Sequence, residues 1–156
     1  MTRAQKTALI AALGSVALLG GALGFQYLGG LAPCEMCIWQ RWPHGIAIAL
    51  GLLIAVLPLR IIALIGGLVV AIGAAIGAYH AGVEWGIFAG PNSCTSSPIG
   101  SLTVEELLAQ IEATPIVRCD DIVWSLLGLS MAGWNAIISA ALTLVWLRSF
   151  MQWNQR

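Results

Sequence analysis

Charged side chains are missing from four long stretches of the chain: Thr7 to Cys34, Trp42 to Leu59, Ile61 to Val83 and Ile122 to Leu147. Each stretch holds about 18 residues or more, and a helix rising 1.5 Å per residue needs roughly 20 apolar residues to cross about 30 Å of hydrocarbon. Backbone facing lipid must satisfy its own hydrogen bonds, and these runs lack the alternating ten-residue pattern of outer-membrane strands, so they predict helices. The expected fold is an all-α membrane protein, a bundle of four transmembrane helices with approximate spans 8–28, 44–59, 61–80 and 122–147. Loops at 29–43 and 81–121 and a tight turn at Pro58-Leu59-Arg60 join them, and residues 1–156 read as one integral membrane domain with no room for a separate soluble one.

Two finer patterns sit on this frame. Gly14, Gly20, Gly21 and Gly24 in the first span, and Gly66, Gly67, Gly73 and Gly77 in the third, suggest close helix contacts. In the long loop Thr103 and Glu106 form a capping box, and Val104, Leu107, Leu108 and Ile111 recur at helical spacing. A short amphipathic helix is expected there, either lying on the membrane surface or packed on the bundle.

Composition agrees: only 9% of the 156 residues are charged, against about 25% in soluble domains. The 59% hydrophobic content excludes disorder, and the absence of a basic cluster argues against nucleic-acid binding. The formal net charge of zero hides a segregation. Arg3, Lys6, Arg60, Arg148 and Arg156 fall on one side of a four-span chain, which the positive-inside rule makes cytoplasmic together with both termini. All seven acids, Glu35, Glu84, Glu105, Glu106, Glu112, Asp120 and Asp121, fall on the other. A cleaved signal peptide is the competing reading of the first segment, but its apolar run is longer than a usual h-region, and Leu31-Ala32-Pro33-Cys34 makes a poor lipoprotein cleavage box.

All four cysteines, Cys34, Cys37, Cys94 and Cys119, lie in the two outer loops. Structural disulfides are one reading of cysteines in an oxidising compartment. A Cys-x-x-Cys ring is a poor staple because closing it removes little unfolded-state entropy, yet such a pair exchanges readily and its thiolate acidity is tunable. Zinc usually takes paired knuckles or nearby histidines, which this spacing does not offer, so no metal is expected. Arg41 and Arg118, the two basic residues left over, each sit near a cysteine. In a helix Arg41 would share a face with Cys37 and could stabilise its thiolate, or it could anchor the chain to lipid phosphates; Arg118 also reads as a loop charge.

Pro33-Cys34-Glu35-Met36-Cys37-Ile38-Trp39-Gln40-Arg41 resembles the Pro-Cys-x-Leu-Cys-x-x-Gln/Glu-Arg motif of the bacterial disulfide bond formation protein B (DsbB) family. A second match runs from Cys119 through Trp124, Leu127, Gly128, Leu129 and Met131 to Trp134. Met36 stands where leucine is usual, a volume-conserving change. The vitamin K epoxide reductase relatives place the Cys-x-x-Cys after the loop pair, whereas here it comes first.

The resemblance implies a bacterial inner-membrane thiol oxidoreductase with periplasmic cysteines that reoxidises a DsbA-like dithiol oxidase. It implies a disulfide between Cys94 and Cys119, attacked by the partner at Cys94, and exchange with the Cys34 and Cys37 pair through Cys34. Electrons would end on Cys37 and pass to a quinone, ubiquinone or menaquinone, near Arg41. His80 and Met131 match positions the family places around that quinone, although residue by residue they also read as an interfacial histidine and ordinary helix packing. Trp39, Trp42, Trp85 and Trp124 read as an outer aromatic belt. The rival from another class is a non-catalytic four-helix membrane scaffold or channel with structural disulfides.

Overall fold

The computed structural model describes residues 1–95, 105, 108 and 117–153. The chain is mostly helical: α1 spans Arg3–Tyr27, α2 Glu35–Val56, α3 Arg60–Glu84 and α4 Met131–Gln152, with a small hairpin of β1 (Ser125–Leu126) and β2 (Leu129–Ser130) before α4. Among the described residues α1, α3 and α4 are long and apolar enough to cross a membrane. The first turns of α2 carry Glu35, Gln40, Arg41 and His44, which lower its apolarity. The amphipathic helix expected near 103–112 lies outside the described residues, apart from Glu105 and Leu108, which are helical.

Local chemistry sets the helix ends. Thr2 and Gln5 form a capping box on α1. The Gln5 amide then reaches across to donate to Ile54 O at 3.0 Å, satisfying a carbonyl in the last turn of α2. Cys34 is the N-cap of α2 and Ser130 that of α4. The apolar run expected to be helical from residue 122 begins its helix only at Met131. Leu127 and Gly128 both adopt positive φ, 53° and 80°, making the two-residue turn that pairs β1 with β2.

The four helices close into a ring in which α3 packs on α2 and α4, and α1 packs on α2 and α4. Small residues let the axes approach. A Cβ at Gly77 would stand 3.1 Å from the Ala136 nitrogen of α4, and one at Gly73 would stand 3.0 Å from the Pro43 ring of α2. Gly14, Gly66 and Gly67 likewise face Leu142, Trp146 and Leu147. Gly20, Gly21 and Gly24 meet nothing within 4 Å of a built Cβ, so the packing reading holds for one of the four glycines named in α1. One core, with Ala8, Ala47, Ile54, Val70 and Trp146 buried, fills the end of the ring near the termini. A second cluster, at the other end, contains the cysteines.

Candidate redox site

Cys34, Cys94 and Cys119 are buried in one cluster with Met36 and Val83, and Cys37 packs against it. Cys94 and Cys119 form a disulfide, while Cys34 and Cys37 are free thiols. The disulfide loop is also tied through its backbone, because Cys119 N–H donates to Cys94 O at 2.6 Å.

In the dithiol, Cys34 Sγ donates to Cys37 Sγ at 2.8 Å, and Cys37 N–H donates back to Cys34 Sγ at 3.2 Å. The backbone bond favours a Cys34 thiolate, as an N-cap should. The bond Cys34 gives to Cys37, reinforced by burial, outweighs it and pushes the Cys34 thiol well above the ordinary thiol range. A negative charge on the pair therefore rests on Cys37.

His80, near the end of α3, joins the two cysteine pairs. Its Nε2 lies 3.2 Å from Cys119 O and 3.6 Å from Cys34 Sγ, and its Nδ1 lies 2.8 Å from Gln40 Nε2. Gln40 Nε2 also donates to Met36 O at 3.2 Å, so this end of the amide must be the NH₂. His80 Nδ1 is then the acceptor, and the proton sits on Nε2, facing the sulfur and the carbonyl. Glu84 Oε1 stands 3.9 Å from the same nitrogen, and Glu84 Oε2 is buried without a partner among the described residues.

The donor atoms of Cys34, Cys37 and His80 lie within 4.8 Å of one another. Two thiolates on one tetrahedral zinc, each about 2.3 Å from it, stand about 3.8 Å apart. The two sulfurs stand closer than that, 2.8 Å apart, with the His80 imidazole 3.6 Å from Cys34 Sγ.

A cavity of about 380 Å³ adjoins the dithiol, within the size range of small-molecule sites. Cys34, Cys37, Arg41, His80 and Met131 line it, between apolar walls that include Leu18 and Phe25 of α1 and Trp134 and Ile138 of α4. The four cysteines, Arg41, His80 and Met131 therefore all lie in the cysteine cluster or on the wall of this cavity. Arg41 does share the face of Cys37, but its Nη1 donates to Gln26 Oε1 at 2.6 Å, and its buried Nε has no partner among the described residues. Arg118 pairs with Asp120 at 2.9 Å. Trp39, Trp42 and Trp85 are exposed as a belt requires, whereas Trp124 packs on Phe25 with ring centroids 5.0 Å apart.

Gln26, His44, Glu84 and Asn135 join the site without a motif to mark them: by sequence Glu84 reads only as an outer acid, and the other three carry no formal charge. The available signal was positional: Cys37, Gln40, Arg41 and His44 follow an i, i+3, i+4, i+7 stripe.

A sequence model of the family described as disulfide bond formation protein DsbB matches residues 4–148. A disulfide bond formation protein B of Idiomarina loihiensis is 35% identical over 147 residues, covering 88% of this chain and 79% of the relative. One from Mannheimia succiniciproducens is 30% identical over 138 residues, covering 85% and 77%. One from Methylococcus capsulatus is 33% identical over 162 residues, covering 93% and 91%. No solved structure matches at a significant level. The chain belongs to the disulfide bond formation protein B family and, with its three membrane-capable helices, is a multi-pass membrane protein.

Proposed function

We propose that this family member is a quinone-dependent thiol oxidoreductase of the bacterial inner membrane that reoxidises a periplasmic DsbA-like dithiol oxidase. α1, the apolar part of α2, α3 and α4 would form four spans, with both termini cytoplasmic and the cysteine end periplasmic. The observation that carries this reading is the single buried cluster of a disulfide and a free dithiol with one imidazole between them.

The thiolate of the incoming dithiol attacks Cys94, the Cys94–Cys119 bond breaks, and Cys119 leaves as the thiolate. Cys119 attacks Cys34 of an oxidised Cys34–Cys37 pair and releases Cys37. The partner's second thiol then displaces Cys94, which attacks Cys119, reforms the loop disulfide and returns Cys34. The net result is an oxidised partner and a reduced Cys34/Cys37 pair, which is the arrangement of bonds seen in the structure. His80 offers its Nε2–H to Cys34 and to the Cys119 carbonyl while these exchanges occur.

Thiol exchange alone cannot complete the cycle. DsbA is a strong oxidant at about −120 mV, and each 30 mV uphill costs about 1.4 kcal/mol for two electrons. A bound quinone supplies a two-electron acceptor of higher potential. The cavity fits such a group: its walls are mostly apolar, it touches the dithiol, and it is lined by Arg41, whose buried Nε–H has no partner among the described residues. Ubiquinone and menaquinone both have this ring chemistry.

The test is biochemical. Membranes carrying the protein should oxidise a reduced DsbA-type protein with matching loss of quinone, and Cys37→Ser should abolish that loss; an unchanged rate would refute the electron route. Under partial reduction Cys94 should be captured in a mixed disulfide with the partner, an adduct that a passive scaffold would not form.

A further inference from the structure

Glu84 closes α3 at the cysteine end of the bundle, and the thiol exchanges above give it nothing to do. Its side chain is 6% exposed, Oε1 stands 3.9 Å from His80 Nε2, and Oε2 has no hydrogen-bond partner among the described residues. A carboxylate so far from water needs a cation to balance it. His80 does not supply one, because the Gln40 NH₂ facing Nδ1 holds the ring neutral. The only other basic residues at this end are Arg41 and Arg118, and Arg118 pairs with Asp120 and Asp121. Around Glu84, α2 contributes Cys34 and Cys37, with Glu35 turned to solvent; the start of α4 contributes the neutral Ser130, and α1 brings no charged residue to this end. One cation, Arg41, is thus left for two candidate anions. The hydrogen bond from Cys34 does most to favour a thiolate at Cys37; of the nearby charges, a Glu84 carboxylate opposes that thiolate and Arg41 favours it.

We propose that Glu84 is a redox-linked proton site: it holds a proton while the Cys34–Cys37 pair is reduced and carries the thiolate, and it gives that proton up when the pair is oxidised. The inference rests on the redox reading of this pair and adds the place of the second proton. Joining Cys34 and Cys37 in a disulfide releases two electrons but one proton, from Cys34, because Cys37 has none to give. A quinone takes two of each in becoming a hydroquinone. Release of a proton from Glu84 closes the balance, and the negative charge passes from Cys37 to the carboxylate, so Arg41 has one anion to balance in both states. When a partner dithiol reduces the pair again, the two protons that accompany its electrons end on Cys34 and Glu84. No contact between Glu84 and the ring ligand is involved.

The test counts protons without turnover of quinone. The full-length protein in detergent is equilibrated anaerobically with glutathione buffers, whose excess leaves any bound quinone reduced and idle, and the Cys34–Cys37 peptide is mapped by mass after acid quenching and alkylation. Two glutathione thiols reduce the pair and become one disulfide. Between about pH 6 and 7 glutathione stays a thiol, and the parent protein keeps both of its protons, on Cys34 and Glu84, so the equilibrium constant should change by less than about twofold. In Glu84→Gln one proton goes to solvent, and the constant should rise about tenfold over the same pH unit. Infrared difference spectra give a second readout: reduction of the parent should add a protonated-carboxyl C=O band that Glu84→Gln lacks, and the parent alone decides the matter if the variant does not fold. Equal pH dependence in parent and variant, or reduction of the parent without that band, overturns the proposal and leaves the redox reading standing. A pair that no glutathione ratio moves between disulfide and dithiol overturns both.

Discussion

Replacing Gln40 by leucine keeps most of the volume and removes every polar atom that organises His80. Three bonds go: to Met36 O at 3.2 Å, to His80 Nδ1 at 2.8 Å and from Asn135 Nδ2 at 2.7 Å. Met36 O is a helix carbonyl and keeps its ladder bond, so its loss is minor. His80 Nδ1 and Asn135 Nδ2 lose the partner each has here. A buried orphan costs about 1–3 kcal/mol in soluble proteins, whereas bonds between membrane helices average about 0.6 kcal/mol because the unfolded chain also finds partners. The site lies at the end of the bundle, between those limits, so Gln40→Leu should cost about 2 kcal/mol, roughly 30-fold in the folding equilibrium. Denaturant titration in detergent, followed by tryptophan fluorescence, measures it. A double-mutant cycle with Asn135→Leu should show coupling of about 1 kcal/mol, since the second change removes a group that the first has already orphaned. Strict additivity, or a Gln40→Leu protein as stable as the parent, would refute the network.

In the fully reduced protein iodoacetamide should modify Cys37 well before Cys34, because Cys34 is buried and its thiol is pushed upward; mass mapping of the first modified peptide checks this, and Cys34 first would reverse the assignment. Arg41→Ala should raise the quinone concentration needed for half-maximal turnover while leaving the affinity for the DsbA-type partner unchanged, and the opposite pattern would remove Arg41 from the cavity's role. Gly77→Ala should destabilise by about 1–3 kcal/mol, because its Cβ would press on backbone atoms of α4 that cannot turn aside. Gly20→Ala, with nothing within 4 Å, should instead be neutral or gain up to about 1 kcal/mol in helix propensity, and thermal unfolding of the pair in one detergent compares them directly.

What could be read from the sequence follows from what each signal detects. Gaps between charges follow α3, which has Arg60 and Glu84 at its two ends, and mark the start of α1 by Arg3 and Lys6, whereas no charge marks where α1 stops at Tyr27. The same scan is blind to neutral polar groups, so it passed over Gln26, His44, Asn135 and Ser139, which build much of the cavity's hydrogen bonding. It also counted Ile122 to Met131 into the last span. The local signals that break that segment are Gly128, free to take positive φ beside Leu127, and Ser130, which caps α4; a hydropathy run does not register either. For α2 the expected span 44–59 leaves out the helix's first turns, because the charge of Arg41 closes the gap there; Gln40, Arg41 and His44 form a polar stripe along that part of the helix. Their presence has a physical reason in the fold: that stripe faces the cavity, where the polar atoms find one another or stand ready for a ligand.

His80 puts the relation between the two cysteine pairs to a further test. Its single N–H faces both Cys34 Sγ and Cys119 O, so one side chain of α3 holds the disulfide loop over the dithiol, and the loop's own tie, Cys119 N–H to Cys94 O, does not depend on it. In a Cys37→Ser, Cys94→Ser protein only Cys34 and Cys119 remain to pair. Mild oxidation with diamide should join them readily while His80 is present. His80→Leu removes one hydrogen bond of anchoring, about 1 kcal/mol, and should slow formation of the Cys34–Cys119 bond by about fivefold. Gln40→Leu, which leaves the imidazole but frees its tautomer, should slow it less. If His80→Leu cross-links as fast as its parent, the loop is held by packing around Val83 and Met36 instead, and the imidazole has no part in bringing the two sulfurs together.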